Sequence, residues 1–178
     1  MVRDASRTLE QVRVYTGVPT PAKDKVGNAA TQRRIAAWVA EKPDKVEVFP
    51  RPLKYPPPRG EEKGVDVELA IDFVRLALDD EYDVAVLASC DTDLVPALKL
   101  VADRCPEKTL VTVAWDPVPG CETVTAEPLD LPDGGLVRTK VPKSDFDRIA
   151  DKRDFRSSNA DPKAVVGESR WTKIKNRF

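Results

Sequence analysis

Apolar positions along this chain fall into two alternating patterns. "VRVYTG" (12–17) is a β-branched and aromatic run ending at a glycine, which predicts a strand leading into a loop. "VPTPAKDKVGN" (18–28) carries two prolines and a glycine and reads as that loop. "AATQRRIAAWVAEK" (29–42) places Ile35, Trp38 and Val39 on one side and charges on the other, predicting a helix. "KVEVFPRPL" (45–53) alternates as a second strand, and the proline-rich "RPLKYPPPRGEEKG" (51–64) reads as an extended loop. "GVDVELAIDFVRLALDD" (64–80) is the strongest helix signal. Val67, Ala70, Ile71, Val74 and Leu78 form its stripe, widened by Leu69, Phe73 and Leu76.

A strand "DVAVLAS" (83–89), a helix "DLVPALKLVADR" (93–104) and a strand "TLVTVAW" (109–115) follow. "GLVRTKV" (135–141), between Pro132 and Pro142, suits an edge strand. Strands alternating with helices across short loops predict an α/β fold, a mostly parallel sheet sandwiched by helices. Past Pro142 the periodicity fades. "SDFDRIAD" (144–151) spaces Ser144 and Asp147 as a capping box for a short helix. The end, "RWTKIKNRF" (170–178), interleaves Arg170, Lys173, Lys175 and Arg177 with Trp171 and Phe178. That mixture suits base stacking and phosphate neutralisation, and equally a plain basic tail. The pattern divides the chain into a domain over 1–142 and a C-terminal extension over 143–178.

Composition narrows the chemistry. The 178 residues are 41% hydrophobic and 33% charged, with a net charge of −1, so no overall basic field points to nucleic acid. Histidine is absent, which removes Ser-His-Asp and Cys-His catalysis, a histidine general base and histidine-ligated zinc. Cys90, Cys105 and Cys121 are odd in number and lack Cys-x-x-Cys spacing, so they read as free thiols of a cytoplasmic protein. No stretch has the length and apolarity of a signal peptide or a membrane span. Catalysis would have to rest on carboxylates, lysines, cysteines or a hard cation.

Carboxylates stand where such chemistry is expected. Asp91 and Asp93 follow the third predicted strand, and ligands of open α/β sheets bind beyond the carboxyl ends of strands. Two like charges this close would be stabilised by Mg²⁺ or Mn²⁺. A helix cap explains the same residues, with Pro96 marking a first turn. Asp66 opens the long helix after Lys63 and Gly64, and would complete a triad if that end faces the same sheet edge. Asp72 lies about 120° further round the helix and reads as a surface acid. Cys90 has no base nearby in sequence and does not suggest a nucleophile.

"EKGVDVELAIDFVRLALDDEYDVAVLASCDTDLVPALKLV" (62–101) closely resembles the central block of NYN domains, the PIN-like ribonuclease group. "RVYTGVPTP", "NAATQRRIAAW", "VTVAW" and "DFDRIADKRDF" resemble the actinobacterial branch of that family. The resemblance implies a three-layer α/β/α, Rossmann-like fold and a Mg²⁺ or Mn²⁺ site on Asp66, Asp91 and Asp93. The implied activity is RNA phosphodiester hydrolysis, with Ser89 and Lys63 as substrate contacts. Relatives often have glycine or threonine where this chain has Cys90.

The front of the chain departs from the family. Members begin with an apolar central strand that ends in an aspartate, whereas only Met1 and Val2 precede Asp4 here. That strand is expected to be missing, encoded upstream, or supplied by a second copy in a homodimer. A site short of its first acid could be impaired, so a non-catalytic RNA- or protein-binding module is the alternative. An Asp-x-Asp phosphatase or a nucleotide-sugar glycosyltransferase also places such a pair after an apolar strand. The phosphatase, however, normally needs a later acidic pair at a strand end, and none is evident after Asp93.

Overall fold

The computed structural model describes residues 6–56, 60–116 and 127–157. The basic aromatic end at 170–178, Cys121 and Asp4 lie outside the described residues. Among the described residues, five strands and four helices run in chain order as β1 (Val12–Val18), α1 (Lys25–Glu41), β2 (Val46–Pro52), α2 (Val65–Leu78), β3 (Val84–Leu87), α3 (Val95–Arg104), β4 (Thr109–Trp115), β5 (Val137–Val141) and α4 (Lys143–Ile149). A short 3-10 turn, Thr92–Leu94, precedes α3. The expected α/β class and parallel pairing hold, but the strands lie in two sheets, β1-β2 and β3-β4-β5. Every pairing within them is parallel.

The chain forms two compact units. One takes in residues 6–65 together with the segment from 152; the other takes in 66–151. In the first, β1 and β2 pair from Val12↔Val46 to Val18↔Pro52. Tyr15 and Phe49 stack with ring centroids 4.8 Å apart, and the Arg13 guanidinium lies 4.6 Å from the Phe49 centroid. Helix α1 buries Thr31, Ile35 and Ala36. It starts four residues earlier than the apolar pattern predicts, because the Asp24 carboxylate caps it by accepting the Gly27 N–H at 2.7 Å. The chain approaches closely at Gly17: its N–H donates to Glu62 Oε1 at 2.6 Å, and a Cβ there would displace the ends of the Leu53 and Glu62 side chains. The loop after β2 closes with paired backbone hydrogen bonds between Lys54 and Glu61.

The described part of the second unit packs around a hydrophobic core. Ala77 of α2, Leu87 of β3, Leu94, Leu98 and Val101 before and within α3, Leu110 of β4, Cys105, Leu129 and Leu131 are buried together. Leu98 and Val101 are 0% and 1% exposed. Thr112, fully buried in β4, donates through Oγ1 to the Leu129 carbonyl at 2.7 Å and so ties the 127–131 segment to the sheet. Leu69, Ala70, Phe73 and Val74 pack against this core. Val67, Ile71 and Leu78, expected in the inward stripe, are 55%, 61% and 56% exposed. The arc that α2 turns inward is therefore centred on Phe73 and Ala77 rather than on Ile71. The edge strand β5 forms where expected, beside β4. Helix α4 begins at Lys143 behind Pro142, with no side-chain cap, so the Ser144–Asp147 capping box does not form. Asp147 pairs with Lys143 instead.

Candidate metal centre

Two elements of the second unit carry three aspartates to a common point: α2 brings Asp66, and the turn after β3 brings Asp91 and Asp93. Asp66 is the second residue of α2 and lies seven residues, about two turns, before Phe73. It therefore shares the meridian of α2 that packs on the core, and at the first turn that meridian carries it past the core to the sheet edge. Gly64 prepares this placement. Its φ of +74° is a left-handed conformation that glycine adopts without strain. The Lys63 carbonyl beside it accepts from Arg51 Nη1 at 3.2 Å. An acid in the first turn also complements the helix dipole.

Asp91 and Asp93 are placed by the turn that follows β3. The Asp91 carboxylate caps the 3-10 turn, its Oδ1 accepting the Asp93 N–H at 3.0 Å. Ser89 Oγ accepts the Asp91 N–H at 3.2 Å. Leu94, buried two residues into the turn, anchors it to the core. Pro96 sits in the first turn of α3. The helix-cap and ligand readings of this pair are thus compatible: one Asp91 oxygen fixes the loop while the carboxylate remains at the surface.

One carboxylate oxygen from each of Asp66, Asp91 and Asp93 lies within 4.8 Å of the others. Among the described residues no lysine or arginine pairs with any of the three. Oxygens on opposite sides of a Mg²⁺ ion stand about 4.2 Å apart, twice the bond length, so modest side-chain rotation brings this set to bonding distance. The donors are all hard oxygens, which suits a hard divalent cation and not a thiophilic ion. At 4.8 Å, two carboxylates repel by about 1 kcal/mol in bulk water, which an open surface site tolerates without a cation.

The other expected site residues fall differently. Ser89 is adjacent to the triad through Asp91. Lys63 belongs to the first unit, where it pairs with Glu61 at 3.5 Å. Asp72 stays outside the cluster and pairs with Arg75 at 3.3 Å. Cys90 is an exposed free thiol and Cys105 a buried one. None of the described helices is long and apolar enough to cross a membrane. Two aromatic side chains that the sequence reading passed over, Trp115 and Phe146, lie exposed on β4 and α4. Neither carries a signal in the sequence, where each looks like an ordinary apolar residue.

The family model for the NYN domain matches residues 3–117. No curated protein matches the chain, and no solved structure does.

Proposed function

Because the chain belongs to the NYN domain family, and so to the PIN-like nuclease superfamily, we propose that it is a metal-dependent ribonuclease. The observation that carries this reading is the convergence of Asp66, Asp91 and Asp93 at the carboxyl end of β3. These three side chains would hold one Mg²⁺ or Mn²⁺ ion. When bound, the ion supplies Lewis acidity for activating water and positive charge for the phosphodiester oxygens.

The chain's own residues do the rest. Asp91 holds the turn through its bond to the Asp93 N–H, which keeps the two residues side by side while their carboxylates can still rotate onto an ion. Ser89, half-buried beside Asp91, offers a hydroxyl at the mouth of the site for a phosphate oxygen. Lys63 is proposed as a further phosphate contact. RNA is the proposed substrate, single-stranded or locally structured, and the protein is proposed to act in the cytoplasm.

The test is incubation of the full chain with single-stranded RNA and Mn²⁺, beside an Asp91→Asn, Asp93→Asn variant. Cleavage should require the ion and fall roughly 100-fold or more in the variant. Equal cleavage by both proteins would remove these acids from the mechanism. RNA binding without turnover would instead mark a binding module.

A further inference from the structure

We propose that the outer face of α1, with the 152–156 segment packed on it, holds the phosphate backbone of single-stranded RNA. The inference rests on the ribonuclease reading for the identity of the ligand, while the surface itself follows from charge and geometry. The net charge of −1 conceals a division between the two units. The described residues of the first unit carry 14 lysines and arginines against 8 aspartates and glutamates. Those of the second carry 8 against 18. The unit that bears the aspartate triad therefore repels a polyanion, and the attraction that brings RNA to the protein falls to the first unit.

Within the first unit, cations gather on the side of α1 that the sheet does not use. Thr31 and Ile35 are buried, and Arg33 lies about 160° round the helix from both. Arg33 donates from Nε and Nη2 to the Phe155 carbonyl, at 2.9 and 2.7 Å, which fixes the 152–156 segment on this side. Arg153 joins Ala37, Ala40 and Glu41 in lining one open hollow. Its guanidinium lies 5.2 Å from the centroid of the Phe155 ring, and that of Arg34 lies 5.2 Å from the centroid of Trp38. Lys152 and Arg156 are exposed at the two ends of the segment.

These charges are not neutralised locally. Arg33, Arg34, Lys152 and Arg156 form no ion pair among the described residues, and the acceptor on Arg33 is a neutral carbonyl. The acids beside them are Glu41, Asp151 and Asp154. Asp154 accepts the Arg156 backbone N–H at 2.9 Å, and neither it nor Glu41 pairs with a lysine or arginine among the described residues. Cations without a carboxylate partner have no ion pair to break before they meet a phosphate, and the planar guanidinium fork fits phosphate oxygens. Contacts of this kind hold the strand without reading its bases.

The experiment measures binding of a labelled single-stranded oligouridylate to the full chain in the presence of a chelator, over a series of salt concentrations. The wild type should bind, with the logarithm of affinity falling linearly with the logarithm of salt concentration. The variant Arg34→Gln, Lys152→Gln, Arg156→Gln should flatten that slope by about 2, since each single-strand phosphate contact contributes about 0.7. Lys152→Gln with Arg156→Gln alone changes only exposed side chains and should flatten it by about 1.4, which keeps the test available if the triple variant unfolds. Removing three cations from the second unit, by Lys99→Gln, Arg104→Gln and Lys143→Gln, should leave the slope unchanged. No binding by the wild type, an unchanged slope in the first-unit variants, or an equal loss in the second-unit variant would each overturn the surface. If binding behaves as expected and no metal-dependent cleavage occurs, the ribonuclease reading fails alone. If cleavage requires Asp91 and Asp93 but the first-unit variants keep the wild-type slope, the surface fails alone.

Discussion

Two single residues, one beside the triad and one at the opposite edge of the sheet, show how locally the fold is built. Gly64 holds φ +74°, and a Cβ there would meet Arg51 Nη1 at 2.6 Å. Gly64→Val combines backbone strain with that clash, and a cost of about 1–3 kcal/mol is expected. Denaturant unfolding measures it, and a loss of metal affinity should accompany it, because the same turn orients Asp66. Lys108 is the second case. Its side chain is almost wholly covered and its ammonium bonds the Asp80 carboxylate. That hydrogen bond and charge lower the Asp80 pKa and raise that of Lys108. The Asp80 contribution is present above its unfolded value of about 3.9 and is lost as pH falls through the depressed folded value. The Lys108 contribution is present below about 10.4 and is lost as pH rises through the raised folded value. A melting series for Lys108→Met should therefore show a small deficit at neutral pH that closes in strong acid.

Elements decide which of these residues meet. Leu98 of α3 is 0% exposed in the core of the second unit, and Leu98→Ala should cost about 2–5 kcal/mol in chemical unfolding. The sequence announces every strand and helix here, since β4 and β5 follow their apolar runs within a residue or two. Phase and caps are less legible. The broad apolar surface of α2 leaves its inward direction open, and packing chose Phe73 and Ala77 over Ile71. Asp24 extends α1 into a segment whose prolines and glycine suggest a loop. Ser144 makes no cap because Pro142 already sets the start of α4. Of the candidate site, Asp91 and Asp93 are readable from their place after a strand. Asp66 joins them only through the packing of α2 on that sheet, which sequence spacing suggests but cannot place. Trp115 and Phe146 escape sequence reading altogether, since each looks like an ordinary apolar residue until its exposure is known.

At the scale of the molecule, an NYN-family chain brings three aspartates together on one compact unit, with no lysine or arginine among the described residues neutralising them. The central claim is that these acids hold a divalent cation. The most direct measurement is calorimetric titration of Mn²⁺ into the full chain and into the Asp66→Asn, Asp91→Asn, Asp93→Asn variant. The account predicts saturable binding by the wild type and at least a tenfold weaker affinity in the variant. It also predicts that Mn²⁺ at a hundred times the wild-type dissociation constant stabilises the wild type by about 2.7 kcal/mol and the variant by no more than about 1.4 kcal/mol. Equal binding by the two proteins, or none by the wild type, would contradict it.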